Sequence, residues 1–164
     1  MKRSPCSVSK HLLFYHLLVH SGIVRTEEKS KKGKNVIRLA IDAAYQKDSH
    51  HASAGLVLVQ DGQQYQKKVR LADCEDNHKA EFLALLWAVK SELAILKTSQ
   101  LVEIVSDSKI LVSSMQKGYA KHYQKEVDLI LALLPNPDLT FYTWVSDRKN
   151  QGPHHLAMQA LQQD

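Results

Sequence analysis

Along this 164-residue chain the spacing of apolar positions changes several times, and each change marks the start of a new element. Asn35 to Ala44, NVIRLAIDAA, is almost continuously apolar, as expected of a strand buried on both faces, and carries Asp42 as its single acid near the end. Ala52 to Gln60 reads as a second strand. In a third, Gln63 to Ala72, Tyr65, Lys67, Val69 and Leu71 alternate with Gln64, Gln66, Lys68 and Arg70, the pattern of a half-solvated edge. Asp61-Gly62 between the last two is a two-residue hairpin signal, so the chain opens with an antiparallel meander.

From Asn77 to Leu96 the spacing becomes helical, with Phe82, Leu85, Leu86, Val89, Leu93 and Leu96 on one face and Glu81 in the first turn. Leu101, Val102, Ile104 and Val105 form a short strand ending near Ser106; Ile110, Leu111 and Met115 then recur at helical spacing, which predicts a helix opening at Asp107. A further helix from about His122 to Leu134, a strand from Asp138 to Val145 after Pro135-Asn136-Pro137, and a short helix from Pro153 complete the order. Asp42, Glu81 and Asp107 thus each sit where an element ends or begins. A carboxylate at a strand's C-terminal edge stands in the crevice where α/β sheets bind ligands. The competing readings are local: Asp107 or Ser106 caps its helix, and Glu81 is favoured by the helix dipole.

Residues 1–34 stand apart. HLLFYHLLV is too short to span a membrane, His16 interrupts it, and no small-residue cleavage site follows, so it does not read as a signal peptide. It predicts an accessory helix, joined by the charged linker RTEEKSKKGK to a domain over residues 35–164. Apolar residues make up 44% and charged ones 24%, the balance of a soluble globular domain, and no membrane partner is expected. Lys and Arg outnumber Asp and Glu by 22 to 17, and the pI near 9.1 favours a polyanionic partner. Cys6 and Cys74 are too few for a disulfide framework, which predicts a reducing, cytoplasmic compartment.

The β-β-β-α-β-α-α-β-α order, with Asp, Glu and Asp at these three places, resembles the ribonuclease H family, closest to small bacterial ribonuclease-HI-like proteins, over about Val36 to Gln163. IDAAY resembles the family's strand-ending Asp-Gly-Ala-Ser, HKAEFLALLWAV its Ala-Glu-Tyr-x-Ala-Leu helix, and VSDSKILV its Asp-Ser-x-x-Leu-Val. RKNQGPHHLA resembles Arg-x-Asn-x-x-Ala-Asp-x-Leu-Ala, with Arg148, Asn150, Leu156 and Ala157 in place. The resemblance implies a five-stranded mixed α/β sheet flanked by helices and a metal-dependent endonuclease that cleaves the RNA strand of RNA–DNA hybrids. It puts Asp42, Glu81 and Asp107 at the catalytic metal carboxylates and His154 at the fourth ligand position, holding two Mg²⁺ or Mn²⁺ ions. Hard oxygen ligands suit Mg²⁺, and two ions about 4 Å apart clamp both sides of a displaced phosphoryl group. It also implies nucleic-acid contacts from Asn77, His78, Arg148 and Asn150; Lys117 and Lys121 are further candidates for phosphate contacts, and a monomer is expected.

The chain departs from the family pattern in several places. Ala43 replaces the usual Gly, Asp76 stands where Thr is common, His78 where a second Asn is common, and His154 replaces a carboxylate. Asp147 and Arg148 occupy the loop where many relatives carry a catalytic His, and Lys117 to Lys121 is too short for the basic protruding helix of some members. Two alternatives therefore accompany the nuclease reading: a catalytically weakened nucleic-acid-binding relative, and another nuclease on the same fold.

Overall fold

The structure, a computed structural model, describes residues 36–163; the expected N-terminal helix and linker, with Cys6, lie outside the described residues. Five strands form one sheet: β1 (Val36–Gln46), β2 (His51–Gln60), β3 (Gln63–Arg70), β4 (Leu101–Ser106) and β5 (Thr140–Trp144), in the order β3-β2-β1-β4-β5. The first three run antiparallel, and β4 and β5 are parallel to β1 and to each other. The hairpin turns at Asp61-Gly62, where both residues have positive φ (50° and 76°), as a tight two-residue connection requires.

The helices are α1 (Asn77–Ser91), α2 (Leu93–Leu96), α3 (Lys109–Lys117), α4 (Gln124–Leu133) and α5 (Gln151–Leu161). Ile37, Leu39 and Ile41 of β1 and Leu56 and Leu58 of β2 bury against Phe82, Leu85 and Val89 of α1, Leu111 and Met115 of α3, and Val127 and Ile130 of α4. The opposite face of β2 packs on α5. Small residues make that contact close: Ser53 Oγ donates to Ala157 O at 2.7 Å, and a β-carbon added to Gly55 would lie 2.2 Å from Pro153 O.

Several expected boundaries shift. The single helix expected over Asn77–Leu96 breaks at Glu92, which is 1% exposed and turns inward to Lys67 Nζ at 2.6 Å; burying that carboxylate beside a cation outweighs helical continuity. The strand expected from Asp138 begins at Thr140, because Pro137–Leu139 forms a 3₁₀ turn, and the last helix starts at Gln151, two residues before the Pro153 expected to open it. The helix expected at Asp107 starts at Lys109, capped by Ser108 Oγ, which accepts from Leu111 N.

Candidate active site

That cap settles the first ambiguity of the sequence. Ser108 satisfies the end of α3, and Ser106 Oγ accepts from Ser108 N at 3.0 Å, so the Asp107 carboxylate has no capping duty. Asp107 is instead held at both ends. Its carbonyl accepts from Trp144 Nε1 at 2.9 Å, and its Oδ1 lies 3.4 Å from Asn150 Nδ2. The same Asn150 amide nitrogen donates to Ile41 O at 2.9 Å. The parallel β1–β4 ladder runs from Val36↔Leu101 to Ala40↔Val105 and stops there, so Asn150 fills the gap between the two strand ends that carry Asp42 and Asp107. Both neighbours are acceptors, which requires the nitrogen on that side.

Asp42, Glu81 and Asp107 converge. Each offers one oxygen, and these three lie within 4.8 Å of one another. They line an open cleft of about 570 Å³ together with Ala43, Asn77, His78, Lys109 and His154. Glu81 Oε2 is sealed from solvent and has no hydrogen-bond partner. The Asp42 carboxyl is pushed up to about 6, first by burial and then by the charge of Asp107, against the opposing pull of His154. Burial, followed by Asp42 and Asp107, raises Glu81 well above the ordinary range. Three acids at this spacing, one with an orphaned buried oxygen, repel each other unless protons or a cation intervene. An all-oxygen, anionic donor set of this kind fits a hard divalent cation such as Mg²⁺ or Mn²⁺.

His154 reaches the cleft from α5, with Nδ1 2.9 Å from Asp42 Oδ2. It stands beside the carboxylate triplet, bonded to one of its members. Asp42 pairs with Gly55 across the β1–β2 ladder, and Gly55 is where α5 touches the sheet backbone, so the missing side chain of one strand sets the position of the histidine on the next element.

The expected nucleic-acid residues divide. Asn77 and His78 line the cleft. Lys117, Lys121 and Arg148 are exposed but lie outside its lining. Asn150 is 1% exposed: its Nδ2 donates to Ile41 O and lies 3.4 Å from Asp107 Oδ1, while its Oδ1 is buried without a partner, so the residue supports the site from inside. Asp76 is half-buried and likewise bonded within the protein. It caps α1 by accepting from Lys79 N at 2.9 Å, and Tyr123 Oη donates to both its oxygens. Burial opposes ionisation of Asp76, but the Lys79 amide and the Tyr123 hydroxyl hold its carboxyl below the usual range. Sequence reasoning missed Trp144 and Lys109, whose ammonium lies 4.7 Å from the indole centroid. An exposed Trp three residues before the 3₁₀ turn Asp147–Lys149 carries no periodicity signal that would have identified it.

Comparison with known proteins agrees with this fold. The family model for RNase H matches residues 34–133, ending before β5 and α5. EbsB of Enterococcus faecalis, designated a hydrolase, is 34% identical over 129 residues, which is 77% of this chain and 95% of that protein. RNase H1 from the halophilic archaeon Halobacterium salinarum superposes with a TM-score of 0.66 at 21% identity, over 77% of this chain and 97% of that one. LC11-RNase H1, solved in complex with an RNA/DNA hybrid, gives 0.67 at 18% identity, over 76% and 96%.

Proposed function

Because the chain belongs to the RNase H family, we propose that it is a metal-dependent endonuclease cleaving the RNA strand of RNA–DNA hybrids. The observation that carries this reading is the meeting of Asp42, Glu81 and Asp107 within 4.8 Å, with a buried, unpartnered Glu81 oxygen facing no donor. In this reading the three carboxylates hold two Mg²⁺ or Mn²⁺ ions, which when bound activate a water and neutralise the leaving oxygen. The protein's own contribution is to hold the ligands apart and aimed. Asn150 and Trp144 fix Asp107 from both ends, and His154 holds one Asp42 oxygen. Asn77 and His78, on the cleft wall at the start of α1, are placed to touch the substrate strand.

One observation favours a second reading, a nucleic-acid-binding relative with weakened catalysis. The fourth ligand position holds a neutral-capable imidazole already engaged with Asp42, where a charged carboxylate would bind a cation directly. The deciding experiment is cleavage of a fluorescent RNA–DNA hybrid in Mg²⁺ and in Mn²⁺, beside duplex DNA and duplex RNA. Cleavage confined to the hybrid supports the endonuclease; binding without cleavage supports the second reading; cleavage of another duplex points to a different nuclease on this fold. We take the protein to act as a monomer. Among the described residues no helix is long and apolar enough to cross a membrane. We place the enzyme in the cytoplasm, with residues 1–34 as an accessory segment outside the catalytic domain.

A further inference from the structure

Among the described residues that line the cleft, Lys109 is the one Lys or Arg. Asp107 and Asp147 line the same cleft, yet the Lys109 ammonium makes no ion pair with either and rests 4.7 Å from the centre of the Trp144 ring. The indole is itself tied down, since its N–H donates to the carbonyl of Asp107. The ring is therefore anchored to the backbone of Asp107, a residue of the candidate metal site, and the lysine rests on that anchored ring. A cation held over an aromatic ring keeps its charge and leaves N–H donors free for an anion, unlike one neutralised by a carboxylate.

We infer that Lys109, steadied by Trp144, is a contact for a backbone phosphate of the nucleic-acid strand bound in the cleft. The inference rests on the nuclease reading and deepens it. A polyanion entering a cleft lined by Asp42, Glu81, Asp107 and Asp147 meets repulsion at the rim as well as at the metal positions. An ammonium on the α3 side offsets that repulsion and sets the lateral position of the strand, and a phosphate contact of this kind fixes register without reading sequence. Trp144 is a positioning residue in this scheme: it acts through Lys109.

The test is fluorescence anisotropy of a labelled RNA–DNA hybrid with the full-length protein, in Ca²⁺ with the hybrid's integrity checked on a gel, across a series of KCl concentrations. Lys109→Gln should weaken binding about fivefold, the size of one exposed charge pair, and make the slope of log K against log salt shallower by about one. Lys109→Arg should restore both. Trp144→Leu should weaken binding in the same direction, and adding Lys109→Gln to it should cost less than in the parent, because the lysine's advantage depends on the ring. Lys68→Gln, which removes an exposed β3 lysine bonded to Gln159 away from the cleft, supplies the control for general charge loss. Equal effects of Lys109→Gln and Lys68→Gln, or an unchanged salt slope, would overturn the inference and leave the nuclease reading standing. Failure of the parent itself to bind any hybrid would overturn both.

Discussion

Gly55 and Pro153 touch so closely that a β-carbon on the glycine would lie 2.2 Å from the proline's carbonyl oxygen, and 2.7 Å from Ala157 N. Those atoms are backbone and cannot swing aside. Gly55→Ala should therefore push α5 off the sheet and destabilise the fold by about 1–3 kcal/mol. It should also lengthen the His154–Asp42 contact, since His154 is carried on the first turns of that helix. Thermal denaturation together with histidine NMR of the folded variant would check both, and a variant as stable as the parent with an unshifted His154 resonance would refute the positioning role of Gly55.

Stability without divalent cations should fall as pH rises from about 4 to 6. Asp42 has a folded-state pKa near 6 against 3.8 unfolded, so the folded state binds more protons through that window. The advantage of the protonated form is complete below the unfolded value and gone above the folded one, a difference of about 3 kcal/mol at most, and the raised Glu81 acts in the same direction. Asp42→Asn should flatten this dependence, raise the melting temperature at pH 7 in chelator and abolish hydrolysis. Calorimetry in chelator across pH, beside the hybrid assay, measures all three.

Capping and catalysis should separate onto adjacent residues. Ser108→Ala removes the acceptor for Leu111 N and should cost about 1 kcal/mol. Asp107→Asn leaves the cap intact and relieves repulsion, so it should not lower the melting temperature in chelator while eliminating cleavage. A large stability loss in the Asn variant would return Asp107 to a structural role.

Asn150→Ala should destabilise by about 1–3 kcal/mol, because Ile41 O loses its donor in a buried place. Asn150→Asp, though nearly the same shape, should be worse: it sets carboxylate oxygens against Ile41 O and Asp107 Oδ1. Paired melting curves and Mn²⁺ titrations would show the order Asn, Ala, Asp for stability. An Asp variant more stable than the Ala variant would contradict the account.

His154→Asp should lower stability in chelator by adding a charge beside Asp42, and should strengthen Mg²⁺ binding and Mg²⁺-supported cleavage relative to Mn²⁺. The parent should prefer Mn²⁺, which accepts a nitrogen neighbour more readily. Titration calorimetry with each ion tests it; an unchanged metal preference would leave His154 as a hydrogen-bond partner of Asp42 alone.

Periodicity and punctuation carried most of the fold. The apolar run around Asp42, the Asp61-Gly62 hairpin and the helical spacing after Asn77 are local signals, and the structure has all three. The convergence of Asp42, Glu81 and Asp107 was legible because strand ends and helix starts share one side of an α/β sheet. What escaped was decided by partners distant in the chain. Glu92 breaks its helix because Lys67 waits on β3, Asp76 is absorbed by Tyr123 of the turn before α4, and Asn150 is drawn inside by an unfilled gap between β1 and β4. No pattern within a few residues of Glu92, Asp76 or Asn150 encodes those encounters.

The three carboxylates hang from β1, α1 and the end of β4, elements that meet through long-range pairing. During folding the meander and α1 close over shorter loops, while the parallel docking of β4 against β1 must wait for the intervening chain. The cation pocket therefore exists only once that pairing is made. A divalent ion that binds this pocket binds the finished fold and neither the unfolded chain nor a partly folded one, so its concentration should set how long the native state lives before opening, slowing amide exchange throughout β1 and β4 while leaving the refolding rate unchanged.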